Sequence, residues 1–294
     1  MPEPRTVAPL RGAQWLVNAL HLYRCAPLPW MALSFALLAM MIASTAVPLI
    51  GPIVFALLFP VFSAGLGQAA REATRGRAPM LPDLFAGFRG ATVDLVTLGG
   101  IYLIGQVLAT SAMTTIGGSG LAELLASGGR PPREAISERT LLGVAVGLAL
   151  LLPLLMATWF APLLVHFHRQ PPFAALRASF HACLGNWRAF LVYGVALTIV
   201  ALLAATVSRL TDAVPVLGVL VSFAIVGALL AVMVPVGFIT VYSSYEDVFA
   251  AAPARPVEPD HGEPGEAPAG AEDVAPTPAL PREPGDGPGP ADRS

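Results

Sequence analysis

Apolar residues gather in six long runs, at 28–47, 52–70, 92–116, 140–165, 188–208 and 214–242, separated by shorter polar stretches. Each run is near the ~20 residues that a helix needs to cross a hydrocarbon layer of ~30 Å. No ionisable side chain lies near the middle of any of them. The second, fourth and sixth runs are apolar on every face, as lipid-exposed helices are. The pattern predicts an all-α, polytopic membrane protein with six transmembrane helices. The first run is longer than a signal-peptide core and starts only after Pro27, so it reads as a retained helix, although Ser44-Thr45-Ala46 resembles a cleavage site.

Short amphipathic segments precede every second run. Trp15, Ala19, Leu22 and Tyr23 share one helical face, as do Leu81, Leu84, Phe85 and Phe88, and then Phe173, Leu176, Phe180 and Leu184 leading to Trp187. Such stripes flanked by arginine suit helices lying in the headgroup layer, or helices packed on the ends of the bundle. The chain thus reads as three hairpins, each opened by an interfacial segment. Each returning helix carries proline, and Pro60, Pro153, Pro162 and Pro235 are expected kinks because each removes a backbone donor. Val47-Pro48-Leu49-Ile50-Gly51 and Val214-Pro215-Val216-Leu217-Gly218 make matching turns, which points to a pseudo-repeat of parallel hairpins. Between helices three and four, Gly117-Gly118 and Gly128-Gly129 bracket a small segment at 121–125, too short for a domain.

Charge orients this scheme. All 17 basic residues are arginine. Ten arginines fall on the side of the N-terminus and the interfacial segments, among them Arg24, Arg71, Arg75, Arg77, Arg89, Arg169, Arg177 and Arg188; four fall on the other side. The positive-inside rule then places both termini in the cytoplasm and makes those arginines the membrane-interface residues. Cys25 and Cys183 both fall on that side, where a disulfide is not expected. Past residue 249 the chain turns Pro-rich and acidic, with 3 arginines against 9 acids, too poor in large apolar groups to offset chain entropy. The expected division is a cytoplasmic N-terminus with an interfacial helix at 1–27, a six-helix transmembrane domain at 28–249 and a disordered cytoplasmic tail at 250–294.

Only 12% of the residues are charged, and their distribution leaves little for catalysis or nucleic-acid binding. There is no nucleophile elbow, no H-E-x-x-H, no P-loop and no pair of carboxylates at useful spacing. The densest metal-capable set is His166, His168, His181 and Cys183, whose H-x-H and H-x-C spacing could supply nitrogen and sulfur ligands to zinc. No carboxylate stands close by in sequence to orient the imidazoles, and histidines at a helix exit are ordinary interface residues, so no metal or cofactor is assigned. Asp94, about one turn inside helix three, is expected to pair with Arg89 or another headgroup-level arginine. Arg209 and Asp212 could pair across the far turn. Gly143 and Gly147 form a GxxxG that allows two helices to approach closely, within the bundle or between two copies.

Several segments occur together: Gly76-Arg77-Ala78-Pro79-Met80, Trp159-Phe160-Ala161-Pro162, Asn186-Trp187-Arg188-Ala189-Phe190, and Tyr242-Ser243-Ser244-Tyr245-Glu246-Asp247-Val248-Phe249. In this pattern the chain resembles a family of uncharacterised multi-spanning inner-membrane proteins found mainly in betaproteobacteria, over most of residues 10–250. It is more distantly similar to the membrane domain that accompanies some glycerophosphodiester phosphodiesterases, without their catalytic domain. The resemblance implies a helical inner-membrane protein and directs expectation towards lipid or envelope biology. The resulting reading is a non-enzymatic protein of envelope organisation, lipid handling or partner assembly. Its expected partners are membrane lipids, with other membrane proteins or a second copy as further candidates, and no nucleic acid. One alternative is a small permease for an apolar or amphipathic solute, with Tyr102, Gln106 and Thr158 among the few polar groups near the midplane. Another is a metal-dependent membrane enzyme built on His166, His168 and His181.

Overall fold

In the computed structural model, residues 3–126, 137–211 and 215–249 are described, with backbone alone at 122–126 and at several positions between 204 and 226. The expected acidic tail, Arg130, Arg133 and Asp212 lie outside the described residues, as does the side chain of Arg209. Every regular element among the described residues is helical.

The chain opens with α1 (Arg11–Cys25), whose Trp15, Ala19 and Tyr23 recur every four residues and are buried on one face. It ends at Ala26 because the residue before a proline is driven out of the helical region. Pro27 then starts α2 (Pro27–Ser44), at a position where its missing N–H costs nothing. A tight turn with Leu49 at φ 67° leads into α3 (Ile50–Thr74), and Gly76 at φ 85° stops it.

The second interfacial segment departs from the expected helix. It is one turn, α4 (Leu81–Leu84), followed by a 3-10 turn at Ala86–Phe88. Two prolines and two glycines lie between residues 79 and 90 and deny it a longer ladder. Leu84 is buried while Leu81, Phe85 and Phe88 stay largely exposed. Gly65 and Gly87 allow this segment to lie directly on α3: a Cβ on either would fall about 2.1–2.2 Å from a backbone carbonyl oxygen across the contact.

Next come α5 (Thr92–Ala126), broken at Gly118 (φ 63°, ψ −155°), then α6 (Glu138–Trp159) and α7 (Ala161–His168). Arg139 donates to the Ile116 carbonyl at 2.9 Å, satisfying an acceptor released by the Gly118 break. The last elements are α8 (Pro172–Gly185), α9 (Trp187–Thr211) and α10 (Pro215–Phe249).

Among the described residues, five stretches are long and apolar enough to cross a membrane: Pro27–Ser44, Ile50–Thr74, Thr92–Leu121, Glu138–His168 and Gly227–Phe249. A sixth is counted when α8 and α9, bent by 78° where they meet, are taken as one broken span. This is an all-α polytopic membrane protein. The pairs α2–α3, α5–α6 and α9–α10 pack as hairpins, while α10 also touches α1, α2 and α3.

The buried core is concentrated at the arginine-rich end of the bundle, around Trp15, Trp30, Phe62, Leu95, Phe160 and Tyr245. Towards the opposite end large apolar side chains such as Ile104, Leu108, Leu148 and Leu203 point outwards, as suits a lipid environment.

The prolines behave unequally. Pro60, Pro153 and Pro235 sit inside continuous helices, whereas at Pro162 the helix breaks outright and Pro162 becomes part of the first turn of α7. Asp94 forms no ion pair among the described residues, so the expected partnership with Arg89 does not occur.

Candidate functional site

The break between α6 and α7 organises the arginine-rich end. In an unbroken helix the Phe160 N–H would donate to the Met156 carbonyl. Here Ser179 of α8 is inserted between them: its Oγ accepts from Phe160 N–H at 2.9 Å and donates to Met156 O at 2.7 Å. Ser179 is fully buried. A hydroxyl spliced into the ladder in this way is a recognised cause of a sharp bend, and it satisfies both backbone groups that the break releases.

This splice fixes which face of α8 turns inwards. The buried residues are the small ones, Ala175, Ser179, Ala182 and Cys183. The stripe from Phe173 to Trp187, for which both a headgroup-layer position and packing on the bundle end were open, faces largely out at Phe173, Leu184 and Trp187, which are 74%, 51% and 54% exposed. The reason is distance, since a helix held close enough for a serine to enter its neighbour's ladder leaves no room for phenylalanine. Arg177 and Arg188 flank these exposed rings, and the Arg188 guanidinium lies 5.4 Å from the Trp187 ring centroid.

Beside the break lies a cavity of about 220 Å³, lined by Phe59, Pro60, Tyr102, Thr158, Pro162 and Phe238 among others. Gln106, Pro153 and Pro235 do not line it. Tyr102 is ten residues into α5, hence about 15 Å from the arginine-rich end of that helix at ~1.5 Å per residue. The cavity is smaller than the ~300–1,000 Å³ of sites that enclose a drug-sized ligand.

The arginines divide into two groups. Arg5 and Arg11 converge on Asp247, a buried carboxylate near the end of α10. Arg11 donates through Nε and Nη2 at 2.7 and 2.6 Å, Arg5 through Nη2 at 3.0 Å, and Trp15 through Nε1 at 2.9 Å. The hydrogen bond and charge of Asp247 hold the Arg11 guanidinium above its already high pKa. Asn186, between α8 and α9, extends this fastening: Oδ1 accepts from Val7 N–H, and Nδ2 donates to the Arg5 and Ala182 carbonyls. The first residues are thus pinned to both α10 and the α8–α9 bend. Asp247 and Asn186 were not among the residues expected to matter. Arg75 and Arg77 pair with Glu72, and Arg77 also with Asp83. Arg24, Arg71, Arg89, Arg169, Arg177 and Arg188 meet no carboxylate among the described residues.

The four metal-capable residues are dispersed. His168 Nε2 lies 2.7 Å from the Tyr245 hydroxyl, His181 Nδ1 lies 2.7 Å from the Arg177 carbonyl one turn back, and His166 is partly buried with Nδ1 unpartnered. Cys183 is a buried free thiol and Cys25 an exposed one. No group of three or more His, Cys, Asp or Glu able to hold a metal occurs among the described residues. Gly143 and Gly147 lie against Met113 and Gly117 of α5, where a Cβ would sit 2.5–2.6 Å from the nearest atoms.

No protein-family model matches the chain, and no solved structure is similar to it. It is 35% identical over 193 residues to a probable inner membrane protein of Burkholderia thailandensis, covering 63% of this chain and 71% of that protein. With its helical spans, that likeness shows that the chain belongs to the same family of multi-spanning inner membrane proteins.

Proposed function

We propose that this protein handles lipid without catalysis, in the cytoplasmic leaflet of the inner membrane, with both termini in the cytoplasm. The observation that carries this reading is the outward surface at the α8–α9 bend, where exposed Phe173 and Leu184 of α8 and Trp187 of α9 accompany Arg177 and Arg188, which pair with no carboxylate among the described residues. Aromatic side chains next to guanidinium groups prefer the headgroup layer, where rings enter the acyl boundary and arginine meets phosphate. The nearby apolar cavity supplies a place for an acyl chain at the depth of the same leaflet. The ten-to-four arginine asymmetry supports the cytoplasmic assignment of that end.

Native mass spectrometry of protein extracted with its membrane lipids tests this. Retained phospholipid, reduced by Phe173→Ala with Trp187→Ala, is the expected result; lipid-free protein with an unaltered fold contradicts it.

The same cavity favours a second reading, a small permease for an apolar solute, because Pro60 and Pro162 border it and Tyr102 and Thr158 offer sparse polar contacts. Uptake of an apolar probe into proteoliposomes, abolished by filling the cavity with Ala161→Phe, would favour the permease over lipid handling.

A further inference from the structure

Three elements meet where α7 ends, and each brings an arginine with no carboxylate partner among the described residues: Arg71 from the last turns of α3, Arg89 from the turn before α5, and Arg169 from the end of α7. The Arg71 guanidinium lies 4.9 Å from the ring centroid of Phe167. Arg169 Nη2 donates to the Arg89 carbonyl at 3.4 Å, and its guanidinium rests on Gly90, where a Cβ would sit 2.9 Å from both terminal nitrogens. His166 stands beside the Phe167 ring, the two ring centroids 5.1 Å apart.

Two polar atoms here lack partners. His166 Nδ1 and Gln170 Oε1 are buried without a hydrogen bond, and Gln170 is only 5% exposed. Buried polar atoms are nearly always paired, so the orphaned His166 Nδ1 among spare cations marks a place for a missing acceptor, whereas Gln170 Oε1, itself an acceptor, does not bear on an anion. Arg169 closes α7 in the left-handed conformation, φ 53° and ψ 33°, that commonly ends a helix.

Within the lipid-handling reading on which it rests, we infer that Arg71, Arg169 and His166 form a binding site for one phosphate group at headgroup depth. The guanidinium forks of Arg71 and Arg169 match phosphate oxygens, and a proton on His166 Nδ1 gives a third donor. A phosphate is the anion this position meets, because the residues stand at the end of the span Glu138–His168. Arg24, remote in the chain and outside this network, is not part of the site.

The test uses full-length protein in detergent, titrated separately with phosphatidylglycerol, phosphatidylcholine and soluble glycerol 1-phosphate, and read by native mass spectrometry. Wild type should bind phosphatidylglycerol. Arg71→Gln and Arg169→Gln should each weaken that binding about tenfold, Arg71→Lys less, and Arg24→Gln not at all. All these residues are solvent-accessible enough that the melting temperature should barely move, and a variant that unfolds is replaced by its lysine counterpart. Glycerol 1-phosphate binding as tightly as the lipid would retain the site but reject a lipid source. Unchanged lipid binding in both glutamine variants overturns the site and leaves lipid handling standing. Absence of lipid and glycerol phosphate binding by wild type overturns both.

Discussion

The Asp247 carboxylate grips Arg11 through both of its oxygens, at 2.6 and 2.7 Å, across 236 residues of chain. Through this pair and Trp15, the first helix is fastened to the end of the last. Removing the charge with Asp247→Asn should cost about 1–3 kcal/mol, less than a fully buried ion pair because both arginines are more than a third exposed. The expected outcome is a lower melting temperature and faster tryptic cleavage after Arg5 and Arg11. Unchanged cleavage would mean that the N-terminal segment is held by other contacts.

Ser179→Ala should be costly for its size. It deletes a single oxygen but strands the Phe160 N–H and the Met156 carbonyl in a buried site. A loss of about 1–3 kcal/mol is expected for buried groups left unpaired. Thermal melting in detergent checks it, with the exposed Arg177→Ala as a reference substitution near zero.

Glycines of the same composition should respond in opposite directions. A Cβ on Gly12 would fall 1.9 Å from the Ala189 carbonyl oxygen, where α1 crosses the start of α9. Gly12→Ala should therefore cost about 1–3 kcal/mol through overpacking. Gly194 has open space around it, and Gly194→Ala should be neutral or stabilising by up to about 1 kcal/mol, as expected for alanine in a helix. Equal effects at the two positions would contradict the described approach of α1 to α9.

The orientation has its own check. A reporter fused after Phe249 should behave as cytoplasmic, and so should one ahead of Arg11. A periplasmic signal at either place would reverse the assignment of the arginine-rich end.

The membrane spans were legible because hydropathy is a local property: a lipid-facing helix such as α2 needs no partner to declare itself. The close contacts were not. On α8 the bulky stripe from Phe173 to Trp187 left open whether it would meet the headgroup layer or the bundle, and helix separation, set by Ser179, turned the small residues inwards instead. At Leu81–Phe88 the apolar spacing pointed to a helix, while Pro82, Gly87 and Gly90 limited it to single turns. Pro162 carried the same sequence signal as Pro153, and only the hydroxyl donated from α8 made the first a break. Arg11 and Trp15 do share a helical face four residues apart, which was the trace of their common partner. Nothing local tied that face to Asp247, because the contact exists only once the bundle has closed. Arg71 and Arg169 were visible as interface arginines, but what separates them from Arg75 and Arg77 is that they form no ion pair among the described residues.

The claim that the arginine-rich end meets lipid is tested most directly by cross-linking in native membranes with a phospholipid carrying a photoactivatable group in its acyl chain. The account predicts adducts concentrated on Phe173 of α8 and Trp187 of α9 and on the cavity residues Phe59 and Tyr102, reduced when Arg71 and Arg169 are replaced by glutamine. Adducts spread evenly around all the exposed apolar faces, and unaffected by those replacements, would contradict it.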